Sequence, residues 1–316
     1  MAIGHSSPTQ MAATEEYSYT KKHKKNHSSH FFSCEILCCG QFLIFFTEKS
    51  YFCDMNYALI TGASSGIGLQ YARQLASRGY NIMVVSNDAE QNESVAESLH
   101  REFGVEAKAI YCDLAQPDAA ERLYAEAERI GKVEVFVNNA GMLLFSTLER
   151  TPEHLIDRIV ALHCTTPAKL CRLFAADMRQ RGRGYIVLMS SITAVMPYPT
   201  ISHYAASKAF LRMLGQSLWY ELRGSGVKVC TVFPSAVDTP FYKLDDKMRR
   251  LLLRLGVMLS PESVARKALR ATFRGRRRCL PGLLTKIIGL LCAIAPVWAL
   301  LPILKIPAVK RILERV

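Results

Sequence analysis

The 316-residue sequence lacks the patterns that mark several classes of protein. Its ten cysteines contain no Cys-x-x-Cys pair and no regular spacing, which excludes a disulfide framework and favours buried free thiols in a reducing compartment. A metal site at Cys34, Cys38 and Cys39 is a weaker alternative. No collagen-like glycine repeat occurs, and a chain that is half hydrophobic and 21% charged can bury a core. We therefore expect a cytoplasmic globular protein without a bound metal.

Residues 1–54 lack the apolar periodicity of a folded segment. Their first 30 residues are polar and rich in histidine, lysine and serine, which predicts disorder. Residues 31–46 are apolar, but Glu35 and Gln41 interrupt them, so the run is too short for a membrane span. It also starts too late for a signal peptide and has no small-residue cleavage site after it. Because a strand pattern begins abruptly at Met55, we expect Met55 to be the physiological start and residues 1–54 to be an upstream extension.

Acidic residues are scarce at the other end of the chain. Residues 241–316 contain 4 acidic and 17 basic residues, while the rest of the chain is balanced, so the whole net charge of +13 lies in this segment. Such a basic surface can bind nucleic acid, anionic lipid or an anionic substrate. Nucleic acid is disfavoured because the segment has few aromatic residues and no recognisable nucleic-acid-binding module.

An uncharged run of 18 residues, 287–304, lies within this basic segment. Pro296 and Pro302 interrupt it, which suits a kinked hairpin or a segment lying in the membrane interface better than a straight span. Basic flanks beside an apolar run favour anionic lipid. We expect residues 241–316 to associate peripherally with the cytoplasmic face of a membrane. A lid over the substrate pocket or an oligomer contact remains the alternative.

Short apolar runs alternate with helical stretches of about a dozen residues in the middle of the chain. The runs lie at residues 57–60, 81–85, 107–111, 133–137, 185–189 and 227–233. This alternation is typical of parallel strands joined by helical crossovers. The sequence therefore predicts a doubly wound, Rossmann-type parallel α/β sheet. Residues 55–240 would form a single dinucleotide-binding catalytic domain, and residues 241–316 its basic, apolar C-terminal extension.

A glycine-rich turn follows the first predicted strand and reads Thr61-Gly62-Ala63-Ser64-Ser65-Gly66-Ile67-Gly68. Glycines let the backbone approach a pyrophosphate, and the N–H groups at the start of the next helix favour its negative charge. Because this turn stands between a strand and a helix, it predicts a dinucleotide site.

The turn resembles the nucleotide turn of the short-chain dehydrogenase/reductase family, and other motifs of that family follow in order over residues 56–240. They are Asp113-Leu114, Asn138-Asn139-Ala140-Gly141, Ser191, Tyr204-x-x-x-Lys208 and Pro234-Ser235-Ala236-Val237-Asp238-Thr239. The resemblance implies that the cofactor is held by Gly62, Ser64, Ser65, Gly66, Ile67, Gly68, Asn87, Asp113, Leu114, Asn139, Ala140, Gly141, Tyr204, Lys208, Pro234, Val237 and Thr239.

Catalysis would depend on Tyr204, Lys208 and Ser191. Tyr204 and Lys208 are four residues apart on a predicted helix and so share one face. A neighbouring ammonium lowers the pKa of a phenol, which would let Tyr204 exchange a proton with a substrate oxygen while Ser191 hydrogen-bonds that oxygen. The resemblance implies an NAD(P)-dependent oxidoreductase. A dinucleotide-binding redox sensor without turnover is the alternative.

Two positions depart from the family pattern. His163 occupies the place of an asparagine that holds a water molecule in the proton relay. Imidazole can also bind water, so His163 is a candidate for the relay, and a packed core histidine is the equal alternative. Ser235 replaces a glycine after Pro234, and we expect cofactor binding to tolerate this small residue.

The choice between NADP and NAD depends on the end of the second strand. Ser86 stands where an acid would select NAD, but Asn87 and Ser65 replace basic residues found in many NADP enzymes of the family. Small polar groups can bind a 2′-phosphate, whereas Asp88 could turn inward and repel it. We therefore favour NADP and keep NAD open.

The segments expected to line the substrate pocket are apolar. They are residues 142–145, 195–198 and 241–242. This lining favours a small apolar carbonyl or alcohol, such as a steroid or a fatty-acyl ketone. The family resemblance also suggests a homodimer or homotetramer built on the helices that carry His163 and Tyr204.

Overall fold

A computed structural model describes residues 56–195, 200–239, 246–254 and 258–294. Within these ranges, seven parallel strands form one sheet in the order β3-β2-β1-β4-β5-β6-β9. These strands are β1 Tyr57–Thr61, β2 Asn81–Ser86, β3 Ala107–Tyr111, β4 Val133–Asn138, β5 Gly184–Met189, β6 Val227–Val232 and β9 Arg278–Cys279. A second small sheet pairs β7 Ala236–Val237 with β8 Met258–Leu259. The predicted doubly wound α/β sheet is confirmed, with all six predicted strands within one residue of their bounds.

Helices cover both faces of the large sheet. The helices of the described ranges are α1 Gly66–Ala76, α2 Ala89–Phe103, α3 Ala119–Ile130, α4 Glu153–Val160, α5 Thr166–Arg181, α6 Ser202–Glu221, α7 Asp246–Arg254, α8 Pro261–Phe273 and α9 Leu283–Ile294. One core layer joins α1, α2 and α8 to the sheet, and the other joins α3, α5 and α6 to its opposite face. Every residue of β1 is buried, which explains its continuous apolar run without alternation.

Free cysteines lie in both core layers. Cys230 and Cys279 belong to the layer with α1 and α8, and Cys112 and Cys171 belong to the layer with α3 and α5. Burial raises the pKa of the Cys171 and Cys230 thiols to about 12 and that of Cys279 to about 11. These four are buried free thiols of the expected kind, and Cys164 is half-buried.

The C-terminal part of the chain contributes to the large sheet and to one of its helix layers. Helix α8 packs against α1, and β9 pairs with β6 at the edge of the sheet. The predicted domain boundary at residue 240 therefore lies before α8 and β9, which pack with the elements that precede it. The described part of the chain has no helix long and apolar enough to cross a membrane. The predictions for residues 1–54, and for residues 295–304 of the uncharged run, lie outside the described residues.

Candidate active site

The carboxyl ends of the parallel strands meet around a cavity of about 660 Å³. This is the edge of a doubly wound sheet at which ligands bind. Of the residues predicted to hold the cofactor or to act in catalysis, all line the cavity except Gly68 and His163, which lie behind its wall. Of the predicted substrate-pocket segments, residues 196–198 and 241–242 lie outside the described residues.

The glycine-rich turn is shaped by contacts that a side chain would block. Gly62 and Gly66 have φ angles of 65° and 55°, a conformation that favours glycine. A Cβ atom at Gly68 would lie 1.9 Å from the carbonyl oxygen of Gly62, so α1 can pack this close to the turn only without a side chain. Helix α1 begins at Gly66 with no side-chain cap at Ser65 and no acidic residue in its first turn. Its N-terminus therefore offers N–H groups to an anion, which fits a pyrophosphate.

Thr61 connects the ends of β1 and β4. Its Oγ1 accepts hydrogen bonds from the backbone N–H groups of Asn139 at 2.9 Å and Ala140 at 3.0 Å. The Asn139 side chain donates in return to the Thr61 carbonyl oxygen at 2.9 Å. These bonds fix the Asn-Asn-Ala-Gly segment beside the glycine-rich turn.

The end of β2 presents polar groups but no carboxylate to the cavity. Ser86 Oγ donates to Asn92 Oδ1 at 2.6 Å, and Asn87 lines the cavity. Asp88 caps α2, where its Oδ1 accepts from the Gln91 N–H at 3.0 Å. Its carboxylate is therefore committed to the helix terminus rather than turned inward.

Arg158 is a cavity residue that the sequence did not reveal. Its guanidinium donates two hydrogen bonds of 3.2 Å to the two carboxylate oxygens of Asp113. Burial alone would raise the pKa of Asp113, but hydrogen bonds from the Ala115 N–H, Gln116 and Arg158 lower it below its usual range. Arg158 lies on α4, 45 residues after Asp113, so no short sequence motif predicts the pair.

Tyr204 and Lys208 lie one turn apart on α6, and both line the cavity with Ser191. Lys208 Nζ is 5.5 Å from the centroid of the Tyr204 ring and donates to the Met189 carbonyl oxygen at 3.1 Å. Burial lowers the pKa of Lys208 to about 8. Ser191 Oγ accepts from the Thr193 N–H at 3.1 Å, which leaves its hydroxyl hydrogen to donate to a ligand. The effect of Lys208 on the pKa of Tyr204 stays a prediction.

His163 is fully buried in a π-helical turn, Ala161–Thr165, between α4 and α5. Its Nε2 accepts from the Met142 N–H at 3.0 Å, and its Nδ1 lies 2.8 Å from Ser207 Oγ. Burial, followed by the charges of Lys208 and His203, lowers the pKa of His163 well below its usual range. This lowered pKa favours the neutral imidazole.

Ser235 links the segment after β6 to the last described helix. Its Oγ accepts a hydrogen bond of 2.9 Å from Thr285 Oγ1 on α9. Pro234, Val237 and Thr239 of the same segment line the cavity. The hydroxyl that replaces the glycine of the family pattern thus holds α9 beside the candidate cofactor site.

The family model "short chain dehydrogenase" matches residues 56–250 of this chain. The chain belongs to the short-chain dehydrogenase family. It is therefore an oxidoreductase that acts on CH–OH groups. Its sequence motifs, fold and cavity agree with this membership, and the glycine-rich turn and the α1 terminus fit the dinucleotide that the fold family implies.

Two curated relatives and one solved structure illustrate the likeness of this short-chain dehydrogenase to known proteins. It is 34% identical over 202 residues to the 17-beta-hydroxysteroid dehydrogenase type 3 of Homo sapiens, covering 62% of this chain and 64% of the relative. It is 32% identical over 197 residues to the very-long-chain 3-oxoacyl-CoA reductase of Anas platyrhynchos, covering 60% and 62%. The short-chain dehydrogenase from Sphingobium yanoikuyae in complex with NADPH is 28% identical, with a TM-score of 0.66 and coverage of 76% and 96%.

Proposed function

We propose that this protein transfers a hydride between NADP(H) and the carbonyl or secondary alcohol of an apolar, steroid-like or fatty-acyl-like substrate. The observation that carries the proposal is the convergence of Tyr204, Lys208 and Ser191 on one cavity beside the glycine-rich turn. The nicotinamide supplies the hydride when it is bound. Tyr204 gives its hydroxyl proton to the carbonyl oxygen during reduction, and Ser191 hydrogen-bonds the same oxygen. Lys208 contributes positive charge that favours the phenolate of Tyr204.

The proposed preference for NADP depends on the absence of a carboxylate from the described cavity wall at the end of β2. Asp88 is held at the α2 terminus, so it does not repel a 2′-phosphate. The likeness to a protein solved with NADPH supports the same choice. The variant Ser86→Asp should shift the preference toward NADH by placing a negative charge at this edge. Tighter binding of NADH than of NADPH to the wild-type protein would contradict the NADP preference.

An apolar substrate is favoured by the apolar part of the cavity lining. Apolar side chains line the cavity at Met142, Leu143, Phe145, Leu162, Ile192 and Ile201. Two relatives are named for a hydroxysteroid and for very-long-chain 3-oxoacyl-CoA, which are large apolar substrates. Because the chain spans less than two thirds of these relatives, their substrates guide the assay panel rather than define it.

The test begins with nicotinamide fluorescence titration and turnover of a panel of steroid, fatty-acyl and small ketones. We expect NADPH binding and turnover of an apolar ketone. Tyr204→Phe should keep the NADPH affinity within a few-fold and lower kcat by about 10²- to 10⁴-fold, the usual contribution of a general acid. Tight binding without turnover on any ketone or alcohol would instead favour the redox sensor.

We further propose that residues 241–316 bring the enzyme to the cytoplasmic face of a membrane. Four apolar side chains on α9 are 47% to 74% exposed and recur at helical spacing, namely Leu283, Ile287, Leu290 and Leu291. Lys286 is exposed beside them, and the whole segment is strongly basic. The protein should sediment with anionic vesicles and not with zwitterionic ones, and Leu290→Ser with Leu291→Ser should weaken this binding. Failure of the wild-type protein to sediment with either kind of vesicle would favour the alternative that this segment is a lid over the pocket or an oligomer contact.

A homodimer or homotetramer is proposed on the exposed surface of α6. Phe210, Met213 and Tyr220 expose 40%, 63% and 57% of their surface on this helix. Light scattering of the purified protein should give at least twice the monomer mass, and Met213→Glu should lower it. A monomeric wild-type protein at micromolar concentration would contradict the association.

A further inference from the structure

His163 joins the loop after β4 to the helix that carries Tyr204. On one side its Nε2 accepts from the Met142 N–H. On the other side its Nδ1 meets Ser207 Oγ, which in turn donates to the carbonyl oxygen of Tyr204 at 2.8 Å. One buried imidazole therefore connects two walls of the candidate active site through three hydrogen bonds.

The directions of these bonds determine the tautomer of His163. A backbone N–H can only donate, so Nε2 carries no hydrogen and Nδ1 must carry it. Nδ1–H then donates to Ser207 Oγ, and the Ser207 hydroxyl donates its own hydrogen to the Tyr204 carbonyl oxygen. Every donor in the sequence of bonds is matched by an acceptor. Both ring nitrogens are thus occupied by protein groups.

The charges around the imidazole oppose its protonation. The groups that lower the pKa of His163 are the Lys208 ammonium and His203, both on α6, in addition to burial. The Tyr204 ring packs edge-on against the imidazole, with centroids 5.7 Å apart. Gly141, which lines the cavity, lies directly against the imidazole: a Cβ atom there would be 2.9 Å from His163 Nε2 and 3.4 Å from Lys208 Nζ.

We propose that His163 is a positioning residue that sets the place of Tyr204 and of the Gly141–Met142 backbone, and that it does not carry the proton of the reaction. The proposal rests on the proposed function for its kinetic consequences only. An asparagine at this position would reach Ser207 but not the more distant Met142 N–H, since the carboxamide is shorter than imidazole. Histidine therefore contacts both the loop at Met142 and helix α6, whereas the shorter asparagine would contact only α6.

The direct test is ¹⁵N NMR of the imidazole in the cofactor-free protein. We expect His163 to remain the neutral Nδ1–H tautomer from pH 5 to pH 9. A titration within this range, or the Nε2–H tautomer, would overturn the proposal. This readout requires no turnover, so it is independent of whether the proposed oxidoreductase activity is correct.

Ser207→Ala and Ser225→Ala form a matched pair for the kinetic test. Both serines donate from Oγ to the carbonyl oxygen three residues earlier, but Ser225 lies beyond the end of α6 and is not part of the sequence of bonds through His163. Ser207→Ala removes both hydrogen bonds of the Ser207 hydroxyl and should lower kcat about 3- to 10-fold through misplacement of Tyr204, with the KM for NADPH unchanged. Ser225→Ala should leave kcat within twofold. Equal effects of the two variants would overturn the positioning role.

The pH profile separates positioning from proton transfer. His163→Gln retains an amide near the Nε2 position and should lower kcat at every pH while leaving the apparent pKa values of the profile unchanged. His163→Asn should retain the Ser207 contact and recover part of the activity that His163→Leu loses. Loss of one limb of the profile in His163→Gln, with unaltered NADPH affinity, would identify a proton carrier and overturn the proposal.

Discussion

Replacing Lys208 by methionine should stabilise the cofactor-free protein. Lys208 is 4% exposed, and burial lowers the pKa of its ammonium from 10.5 to about 8. Because the unfolded chain binds this proton more tightly than the folded one, the charge destabilises the fold below pH 8. The difference between the two pKa values corresponds to about 3 kcal/mol. Stability should therefore rise as the pH increases from about 8 to 10.5, where the folded protein has lost the proton and the unfolded chain still holds it.

Lys208→Met removes this charge and also the bond to the Met189 carbonyl oxygen, which costs about 1 kcal/mol. We expect the free energy of unfolding at pH 7 to increase by about 2 kcal/mol, since the two effects partly offset each other. The gain should disappear at about pH 10, and at about pH 10.5 the variant should be slightly less stable than the wild type, because the lost bond then outweighs the remaining charge penalty. Urea unfolding of both proteins between pH 6 and pH 10.5, followed by circular dichroism, measures the difference at each pH.

Lys228→Met is the matched control. Lys228 Nζ also donates to a backbone carbonyl oxygen, that of Phe273 at 2.9 Å, but its side chain is only half-buried. Its replacement should lower the free energy of unfolding at pH 7 by a small amount instead of raising it. A difference between wild type and Lys208→Met that is constant from pH 6 to pH 10.5, or a less stable variant at pH 7, would refute the reasoning. A stabilised variant that has also lost turnover would indicate that this site sacrifices stability for activity.

Two further sets of substitutions test contacts near the cofactor site. Gly68→Ala would place a methyl group against the Gly62 carbonyl and should abolish NADPH binding. The control Gly79→Ala meets no atom within 4 Å and should cost only about 1 kcal/mol of stability, because of the positive φ angle at this position. Equal NADPH affinities of the two variants in a fluorescence titration would contradict this prediction. Ser235→Gly and Thr285→Val should each lower the melting temperature. In the double variant, their effects on the free energy of unfolding should be coupled by about 1 kcal/mol, the contribution of one hydrogen bond. Additive effects on the free energy of unfolding would show that the bond does not hold α9.

The long strands could be predicted because each is a short, mostly apolar run that stands between two helical stretches. β1 is buried along its whole length, so its sequence shows no alternation of apolar and polar residues and indicates a buried parallel strand. β9 could not be predicted in this way, since it contains two residues and follows an arginine-rich stretch. Its pairing with β6 is determined by tertiary contacts, and the periodicity of a sequence carries no information about such contacts.

The family motifs located most cavity residues on the cofactor side, because every motif except Tyr204-x-x-x-Lys208 follows the end of a strand. Arg158 was missed because its partner Asp113 lies on a different element, and no spacing links a helix to a distant strand end. His163 was found as a departure from the family pattern, but sequence could not choose between a water-binding imidazole and a packed one. That choice depends on Met142 and Ser207, which the fold brings to its two nitrogens.

The distribution of the free cysteines gives each face of the sheet its own chemical reporter. A thiol whose pKa is raised by burial reacts with an alkylating reagent only when the surrounding structure opens. Modification of Cys112 and Cys171, followed peptide by peptide by mass spectrometry, would report breathing of one layer, and modification of Cys230 and Cys279 that of the other. Because Cys279 lies on the edge strand and Cys230 on its inner neighbour, their relative rates would tell fraying of the sheet margin apart from opening of the whole layer.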